Sequence, residues 1–151
     1  MKLSYAAFAA ITCTLTSLAS GASRSSTVVD NTTNEYLDAL VGLTVKTAAG
    51  TLVANAAVNV YVYAITDGSA YTDGVTGVDA AFTLPTVPNL KLAQVVVVNA
   101  AAASASSSPF SAALAFGGTL PQKWGIVVSN QTGLALDTVV GSASYMGVST
   151  Q

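Results

Sequence analysis

The residues best suited to chemistry are three aspartates that recur every six positions in a glycine-rich segment, namely Asp67, Asp73 and Asp79. Carboxylate oxygens beside the backbone carbonyls of such a segment are ligands that a calcium ion prefers. The spacing does not fit an EF-hand loop, which needs ligands at alternate positions and a glutamate at position 12. Because Asp-Gly is also the commonest dipeptide of tight hairpin turns, the segment favours turns, with calcium binding as the alternative.

Most enzymatic chemistry lacks its usual side chains in this sequence. There is no histidine, which excludes a nucleophile–histidine pair and a Cys/His zinc site. Glu35 is the only glutamate and most aspartates adjoin turn signals, so glycoside hydrolysis by a carboxylate pair is disfavoured. Cys13 lies on the same face of an alternating segment as the apolar Ile11 and Leu15 and has no cation adjacent in sequence, which is typical of a small buried side chain. We therefore predict that the protein is not an enzyme and has no cofactor.

Aromatic side chains could support binding of another kind, because their ring faces can stack on sugar rings. A lectin-like β-sandwich that binds carbohydrate, with or without calcium, would place at least two of them in an exposed groove beside residues 67–79. Tyrosines on strands pack in a core or at subunit contacts more often, and this is the interpretation that we favour. The aromatic residues concerned are Tyr61, Tyr63, Tyr71, Trp124 and Tyr145.

Low charge is the most informative property of the composition. Charged residues make up 8% of the 151 residues, against about 25% in an average soluble domain. The net charge of −2 provides no basic surface for nucleic acid. Hydroxyl and amide side chains can solvate part of the surface, but the cores of protein interfaces are also depleted in charge. We therefore expect assembly, with copies of itself as a dimer or trimer and with another protein, and no nucleic-acid partner.

Alternation of apolar and polar residues recurs along the chain and predicts strands. The odd positions of residues 37–45 and the even positions of residues 58–64 are apolar, and the second segment carries tyrosines on its other face. The valine run at residues 95–98 predicts a central strand. About eight or nine strands at this spacing, with little helix, predict an all-β fold, namely an antiparallel, jelly-roll-like β-sandwich over residues 11–151.

The first 23 residues resemble a secretory signal peptide, with a lysine at position 2 and an apolar centre. Against that interpretation, residues 11–16 alternate with threonine at every second position, which is typical of a half-buried strand. We therefore expect no cleaved signal peptide, synthesis in a cytoplasm, a first strand at residues 11–18 and an N-terminal arm at residues 1–10. No apolar run reaches the roughly 20 residues of a transmembrane helix, so we expect no membrane partner.

Four stretches carry a resemblance to a known class of protein. They are TLTSLASGASRSSTVVDNTTNEYLDALVGLTVKT (residues 14–47), VNVYVYAITDGSAYTDGVTGVDAAFTL (residues 58–84), PFSAALAFGGTLPQKWGIVVSNQTGLALD (residues 109–137) and the C-terminal SYMGVSTQ. Together they resemble small virion structural proteins of tailed bacteriophages, nearest to the capsid decoration or cement type, which is commonly a β-sandwich or jelly roll. The resemblance covers most of the chain from residue 12 onwards and includes no catalytic motif.

The resemblance implies a non-enzymatic protein that decorates and stabilises the outer surface of a capsid by binding across major capsid protein subunits. A tail, neck or baseplate component of the same virion is the first alternative, and the lectin-like carbohydrate-binding sandwich is the second. Aromatic residues and arginine dominate the binding energy of interfaces. The residues that we expect to make such contacts are Tyr5, Phe8, Arg24, Tyr36, Trp124 and Tyr145.

Overall fold

The computed structural model describes residues 2–151, which form two antiparallel β-sheets in a sandwich-like arrangement. The prediction of an all-β fold with little helix is confirmed, since the one α-helix among residues 2–151 is the single turn α1 (Ala112–Ala115). No helix of residues 2–151 is long and apolar enough to cross a membrane. The strands are β1 (Leu3–Tyr5), β2 (Ala9–Ile11), β3 (Ser23–Ser25), β4 (Val29–Asp30), β5 (Asp38–Thr47), β6 (Ala57–Ala64), β7 (Ala80–Phe82), β8 (Lys91–Val97), β9 (Ser104–Ser106), β10 (Phe110–Ser111), β11 (Lys123–Gln131) and β12 (Leu136–Thr150).

The first sheet joins strands from distant parts of the sequence. Its centre is the pair β12 and β5, with β1 and β2 beside β12 and with β9 and β10 beside β5. Leu3 pairs with Thr150, and the backbones of Lys2 and Gln151 exchange hydrogen bonds of 3.3 and 2.9 Å. Residues 2–10, the described part of the expected N-terminal arm, therefore lie along β12 of the same chain.

The second sheet has the order β7, β3, β11, β6 and β8, and β4 also pairs with β11. β11 and β6 pair without interruption from Trp124 opposite Ala64 to Gln131 opposite Ala57. β8 pairs with β6 on one side and, among the described residues, with no strand on the other. The prediction of a central strand at residues 95–98 is therefore wrong, because this valine-rich strand forms an edge.

The main core lies between the two sheets and follows the alternation of the sequence. In β5 the odd positions from Ala39 to Val45 point inwards, and in β6 the even positions from Val58 to Val62 do so. Their side chains are at most 2% exposed. Burying one valine or leucine side chain stabilises the folded state by about 1.5–3 kcal/mol, so these two strands hold much of the stability of the sandwich.

A second, smaller core covers the outer face of the second sheet. Tyr63 of β6 and Val127 of β11 are fully buried there against Val75 and Leu90, which belong to the long connection from β6 to β8. Tyr63 lies over Gly125, its register partner, where any Cβ atom would overlap the tyrosine ring. Both faces of β6 are therefore covered, the inner face by the main core and the outer face by this second core.

The chain between β2 and β3 differs from the predicted strand at residues 11–18. Ile11, Cys13 and Leu15 are buried in alternation with threonines, as the pattern predicts, but residues 12–22 form no strand. They cross from the first sheet to the second, and their backbone contacts with β12 are limited to isolated hydrogen bonds, from the N–H of Ser17 to the carbonyl of Asp137 and from the N–H of Leu136 to the carbonyl of Leu18. The number of strands also exceeds the expected eight or nine, because seven of the twelve have only two or three residues.

Candidate interaction surfaces

The three aspartates of the candidate calcium site bind different parts of the chain and do not converge. Asp67 accepts hydrogen bonds from the backbone N–H groups of Ser69 and Ala70, which closes a local turn and lowers the pKa of its carboxyl group. Asp73 accepts the backbone N–H groups of Asn89 and Leu90, at 2.7 and 3.0 Å. Among residues 2–151, no group of three acidic, histidine or cysteine side chains could hold a metal ion.

Asp79 instead ties the crossing segment, residues 12–22, to the second sheet. Its carboxylate accepts hydrogen bonds from the side chain of Arg24 and from the backbone N–H of Thr14, the latter at 3.0 Å. Burial disfavours the charged form of Asp79, but the hydrogen bonds from Arg24 and Thr14 outweigh it and hold the pKa below its usual value. Arg24, an expected contact residue, is thus engaged within the chain on one side of its guanidinium.

The expected aromatic contact residues fall into two groups. Tyr5 and Phe8 are 55% and 68% exposed at the edge of the first sheet, as a contact role requires. Tyr36 and Tyr145 are half-buried and pack against the main core. The ring of Tyr36 lies over Gly147 of β12, where a Cβ atom would overlap it, so this tyrosine fixes the chain locally and exposes only part of its surface.

Trp124 does not lie at the surface. It is fully buried between the sheets, and its ring meets that of Tyr145 edge to face at a centroid distance of 5.6 Å. The reason is its position in the strand. Alternate residues of a strand lie on the same face, and Trp124 shares the inward face of β11 with Ile126 and Val128. Its indole N–H has no hydrogen-bond partner among the described residues. Trp124 therefore stabilises the core, and its expected role as a contact residue is wrong.

The tyrosines considered for sugar stacking are largely engaged with each other. Tyr63 is buried, its ring meets that of Tyr71 edge to face at 5.6 Å, and its hydroxyl donates to the backbone carbonyl of Ser26 at 2.8 Å. Burial raises the pKa of Tyr63 to about 12. Tyr61 is half-buried in the same cluster. Beside residues 67–79, these side chains form a small core rather than an exposed aromatic groove.

The edge strand β8 carries a row of exposed apolar side chains that the sequence pattern did not predict. Leu92, Val95 and Val97 are 53%, 43% and 57% exposed. No charged residue occurs from Leu92 to Gln122, a stretch that also contains β9, β10 and α1. This uncharged stretch is evident in the sequence, and it is the signal from which the exposed apolar surface at β8 could have been predicted. We call β8 and its unpaired side the β8 edge.

Two grooves lie where the β8 edge faces the first sheet. One has a volume of about 280 Å³ and is lined by Leu92, Ala93, Phe110 and α1, whose Leu114 is 77% exposed. The other has a volume of about 290 Å³ and lies between Val97 and residues 99–106. Together with the exposed strand, they give this side of the sandwich an uneven and uncharged surface that carries exposed apolar side chains.

A second exposed apolar surface lies at the opposite edge of the first sheet. We call it the N-terminal patch, and it consists of Leu3, Tyr5, Phe8 and Leu37, all at least 51% exposed. Tyr5 pairs with Val148 of β12, and the N–H of Leu37 donates to the carbonyl of that same residue, so the backbones of Tyr5 and Leu37 lie on either side of it. Exposed apolar patches of this kind mark interaction sites in soluble proteins.

Compared with known proteins, the chain matches no family model, no curated protein and no solved structure. The features of the chain that bear on its function are therefore the two exposed apolar surfaces and the resemblance described above.

Proposed function

We propose that this chain is a non-enzymatic structural protein of a tailed-bacteriophage virion, which decorates the outer surface of the capsid and stabilises it by binding across major capsid protein subunits. The observation that carries the proposal is the collection of exposed apolar side chains at two edges of a sandwich that has few charges. The kind of particle, a tailed-bacteriophage virion, is inferred from the resemblance to virion structural proteins, which lies in residues 14–47, 58–84 and 109–137.

The distribution of charge supports a role in assembly. Six of the twelve charged side chains pair with one another, in the ion pairs Arg24–Asp79, Lys46–Asp137 and Lys123–Asp30. These pairs leave still fewer charges to keep a freely dissolved surface hydrated, and natural surfaces without a partner carry many more. A surface covered by neighbouring protein needs fewer charges, because its water is displaced on binding.

The N-terminal patch is the surface that we propose for contact with the capsid. Tyr5 and Phe8 are large and exposed, and aromatic side chains are the commonest anchors of binding energy. They stand on β1 and on the turn to β2, which are held to β12 by backbone hydrogen bonds and so present a prepared surface. Binding would then require little ordering of the chain, which raises affinity for a given contact area.

Location on a particle tests the proposal. Electron microscopy of purified virions should show the chain in hundreds of copies over the shell, at the junctions between major capsid protein subunits. Rings of six or twelve copies on the particle axis would overturn capsid decoration in favour of a tail, neck or baseplate component. Absence of the chain from the virion would overturn both.

A binding experiment tests the surface. Particles that lack the chain are mixed with purified protein, and the bound fraction is measured by sedimentation. Phe8→Asp should reduce binding at least tenfold, since a buried unpaired charge is costly. Val53→Asp is the matched control, because Val53 is 50% exposed and lies outside both apolar surfaces. Equal binding of the two variants would overturn the assignment of the N-terminal patch.

A further inference from the structure

We infer that the β8 edge is a two-fold contact between two copies of this chain, in which their β8 strands pair antiparallel across Val96 and continue the second sheet from one copy into the other. The inference rests on the proposed assembly role. It assigns a second copy of the chain to the β8 edge, a surface that the proposed capsid contact through the N-terminal patch does not use.

The backbone of β8 determines which groups are unpaired. The N–H of Val98 donates to the carbonyl of Ala56 at 3.0 Å, so it points towards the β6 side of the strand. Backbone groups alternate in direction from one residue of a strand to the next. The backbone N–H and C=O groups of Val96 therefore point towards β6, as the N–H of Val98 does. Those of Val95 and Val97 point to the open edge. No backbone partner for these outward groups occurs among residues 2–151.

A β-bulge restricts the register. The pairing of β8 with β6 shifts at Ala93, which has no register partner, so the strand is irregular before Gln94. The regular part of the edge is therefore centred on Val96. Two copies paired across Val96 would place Val95 of each opposite Val97 of the other. Each such pair exchanges two hydrogen bonds, so about four backbone hydrogen bonds would form from groups that are otherwise unpaired.

The side chains fit the same arrangement. Val95 and Val97 are exposed on one face of the strand, and pairing would bring them together as β-branched cross-strand pairs, which stabilise sheets. Beyond the bulge, Leu92 of each copy would reach Asn99 and Ala100 of the other, at the groove of about 290 Å³ beside the end of β8. An exposed leucine would thus meet a concave, uncharged surface.

Charge favours a second copy in antiparallel orientation. Lys91 begins β8, and no other charge follows until after Gln122. Antiparallel pairing across Val96 would hold the two Lys91 side chains about 30 Å apart, at opposite ends of the joined strands. Parallel pairing would set like charges side by side, which is destabilising. Natural edge strands usually carry charges or prolines that prevent pairing, and Lys91 protects only one end of this one.

Sedimentation equilibrium of the purified full chain tests the contact. Wild type should sediment at twice its mass of 15.0 kDa. Val97→Lys should weaken the dimer at least tenfold, whereas Val139→Lys, at an 81% exposed position of β12, should leave it intact. Val95→Pro should also weaken it at least tenfold, because proline removes an outward N–H and no hydrogen bond within the chain. A cooperative thermal transition and a wild-type far-ultraviolet circular dichroism spectrum in each of the three variants would show that each one folds, and the two weakened dimers should melt at a lower temperature than the wild type.

Disulfide cross-linking tests the register. In the proposed register, the exposed Val95 of one copy lies opposite the exposed Val97 of the other, with Cα atoms about 5.5 Å apart, which a disulfide can span. A mixture of Val95→Cys and Val97→Cys chains should therefore form a covalent dimer on mild oxidation, and Val95→Cys alone, whose two cysteines would lie diagonally, should not. Cys13 adds no background, because burial raises the pKa of its thiol to about 12.

Three results would overturn the inference: a monomeric wild type at high concentration, a dimer that survives Val97→Lys, or cross-linking of Val95→Cys alone in preference to the mixture of Val95→Cys and Val97→Cys. A monomer that still decorates capsids would leave the proposed function standing without this contact. A dimer that is absent from virions would do the reverse.

Discussion

Two neighbouring strands of the second sheet, β6 and β8, have similar valine-rich sequences and opposite surroundings. β6 pairs on both sides and has both faces covered, the inner face by the main core and the outer face by the cluster around Tyr63. β8 pairs on one side, and Val95 and Val97 remain exposed on its outer face. The difference shows that apolar content alone does not make a strand central. The covering is supplied by distant residues such as Val75 and Leu90.

Substitution of a residue in the interior of the second sheet should change the free energy of unfolding more than any substitution on its exposed edge. Trp124→Ala removes a fully buried ring from β11, the strand beside β6, and should lower the free energy of unfolding by about 3–5 kcal/mol. Val97→Ala, on β8, should change it by less than about 0.5 kcal/mol in the monomeric background of Val95→Pro. Urea unfolding followed by far-ultraviolet circular dichroism measures both. Equal losses would contradict the distinction between the covered centre of the second sheet, formed by β11 and β6, and its exposed edge β8.

The packing of Tyr63 of β6 over Gly125 of β11 can be disturbed by substituting the glycine. Gly125→Ala should lower the free energy of unfolding by about 1–3 kcal/mol, because the new methyl group overlaps the Tyr63 ring. Gly42→Ala is the control, since its nearest neighbour would be Ser144 Oγ at 4.0 Å. Combining Gly125→Ala with Tyr63→Leu should cost less than the sum of the two single changes, because the smaller side chain leaves room. Strict additivity would show that the two residues do not interfere.

The connection that covers β6 is held partly by Asp79, and this contact should respond to pH. The folded-state pKa of Asp79 is lower than the unfolded value of about 3.9, so its contribution is present above that pH and is lost as the pH falls through the folded pKa. Asp79→Asn should lower the free energy of unfolding by about 1–2 kcal/mol at neutral pH and by less at pH 3. Unfolding by urea at several pH values measures this.

Asp67→Asn is the comparison for that prediction. Asp67 bonds only within its own turn, so its removal should cost less than the removal of Asp79, which joins Thr14 to Arg24. A larger loss for Asp67→Asn would show that the turn matters more to stability than the link between the sheets.

The smallest expected effect lies within β8 itself. In the monomeric variant Val97→Lys, the amide of Val95 should exchange with solvent at least about tenfold faster than that of Val96, because only the second is bonded to β6. In the wild-type dimer, the amide of Val95 should be protected as well. Hydrogen exchange followed by nuclear magnetic resonance resolves the two. Fast exchange at Val96 with protection at Val95 would reverse the assigned directions of the backbone.

Local patterns in the sequence predicted some features well and left others open. The alternation from Ala39 to Val45 predicted which face of β5 is buried, because the two-residue period is a property of the strand itself. The same reasoning applied to β11 would have placed Trp124 with Ile126 and Val128 in the core. Its aromatic character suggested a contact surface instead, and parity was the stronger signal.

Features that depend on distant residues were not predictable from local patterns. The valines of β8 look like those of a central strand, and only the sheet order shows that nothing pairs with their far side. The residues of the crossing segment alternate between buried and exposed as those of a strand do. Alternate burial requires only an extended backbone and does not require a ladder of hydrogen bonds to a neighbouring strand. The ion pair between Arg24 and Asp79 joins residues 55 positions apart, and neither residue has a local signal that points to the other.

The pairing of β1 and β2 with β12 also constrains how the molecule can form. Residues 3–11 are synthesised well before their partners at residues 143–150, because residues 12–142 lie between them in the chain. At about 5–20 residues per second, synthesis of the intervening residues takes about 7–26 seconds, and the apolar side chains of the early strands stay uncovered for that time. The first sheet is therefore completed only after synthesis of β12, and this long-range closure makes folding slow compared with that of helical proteins of the same size.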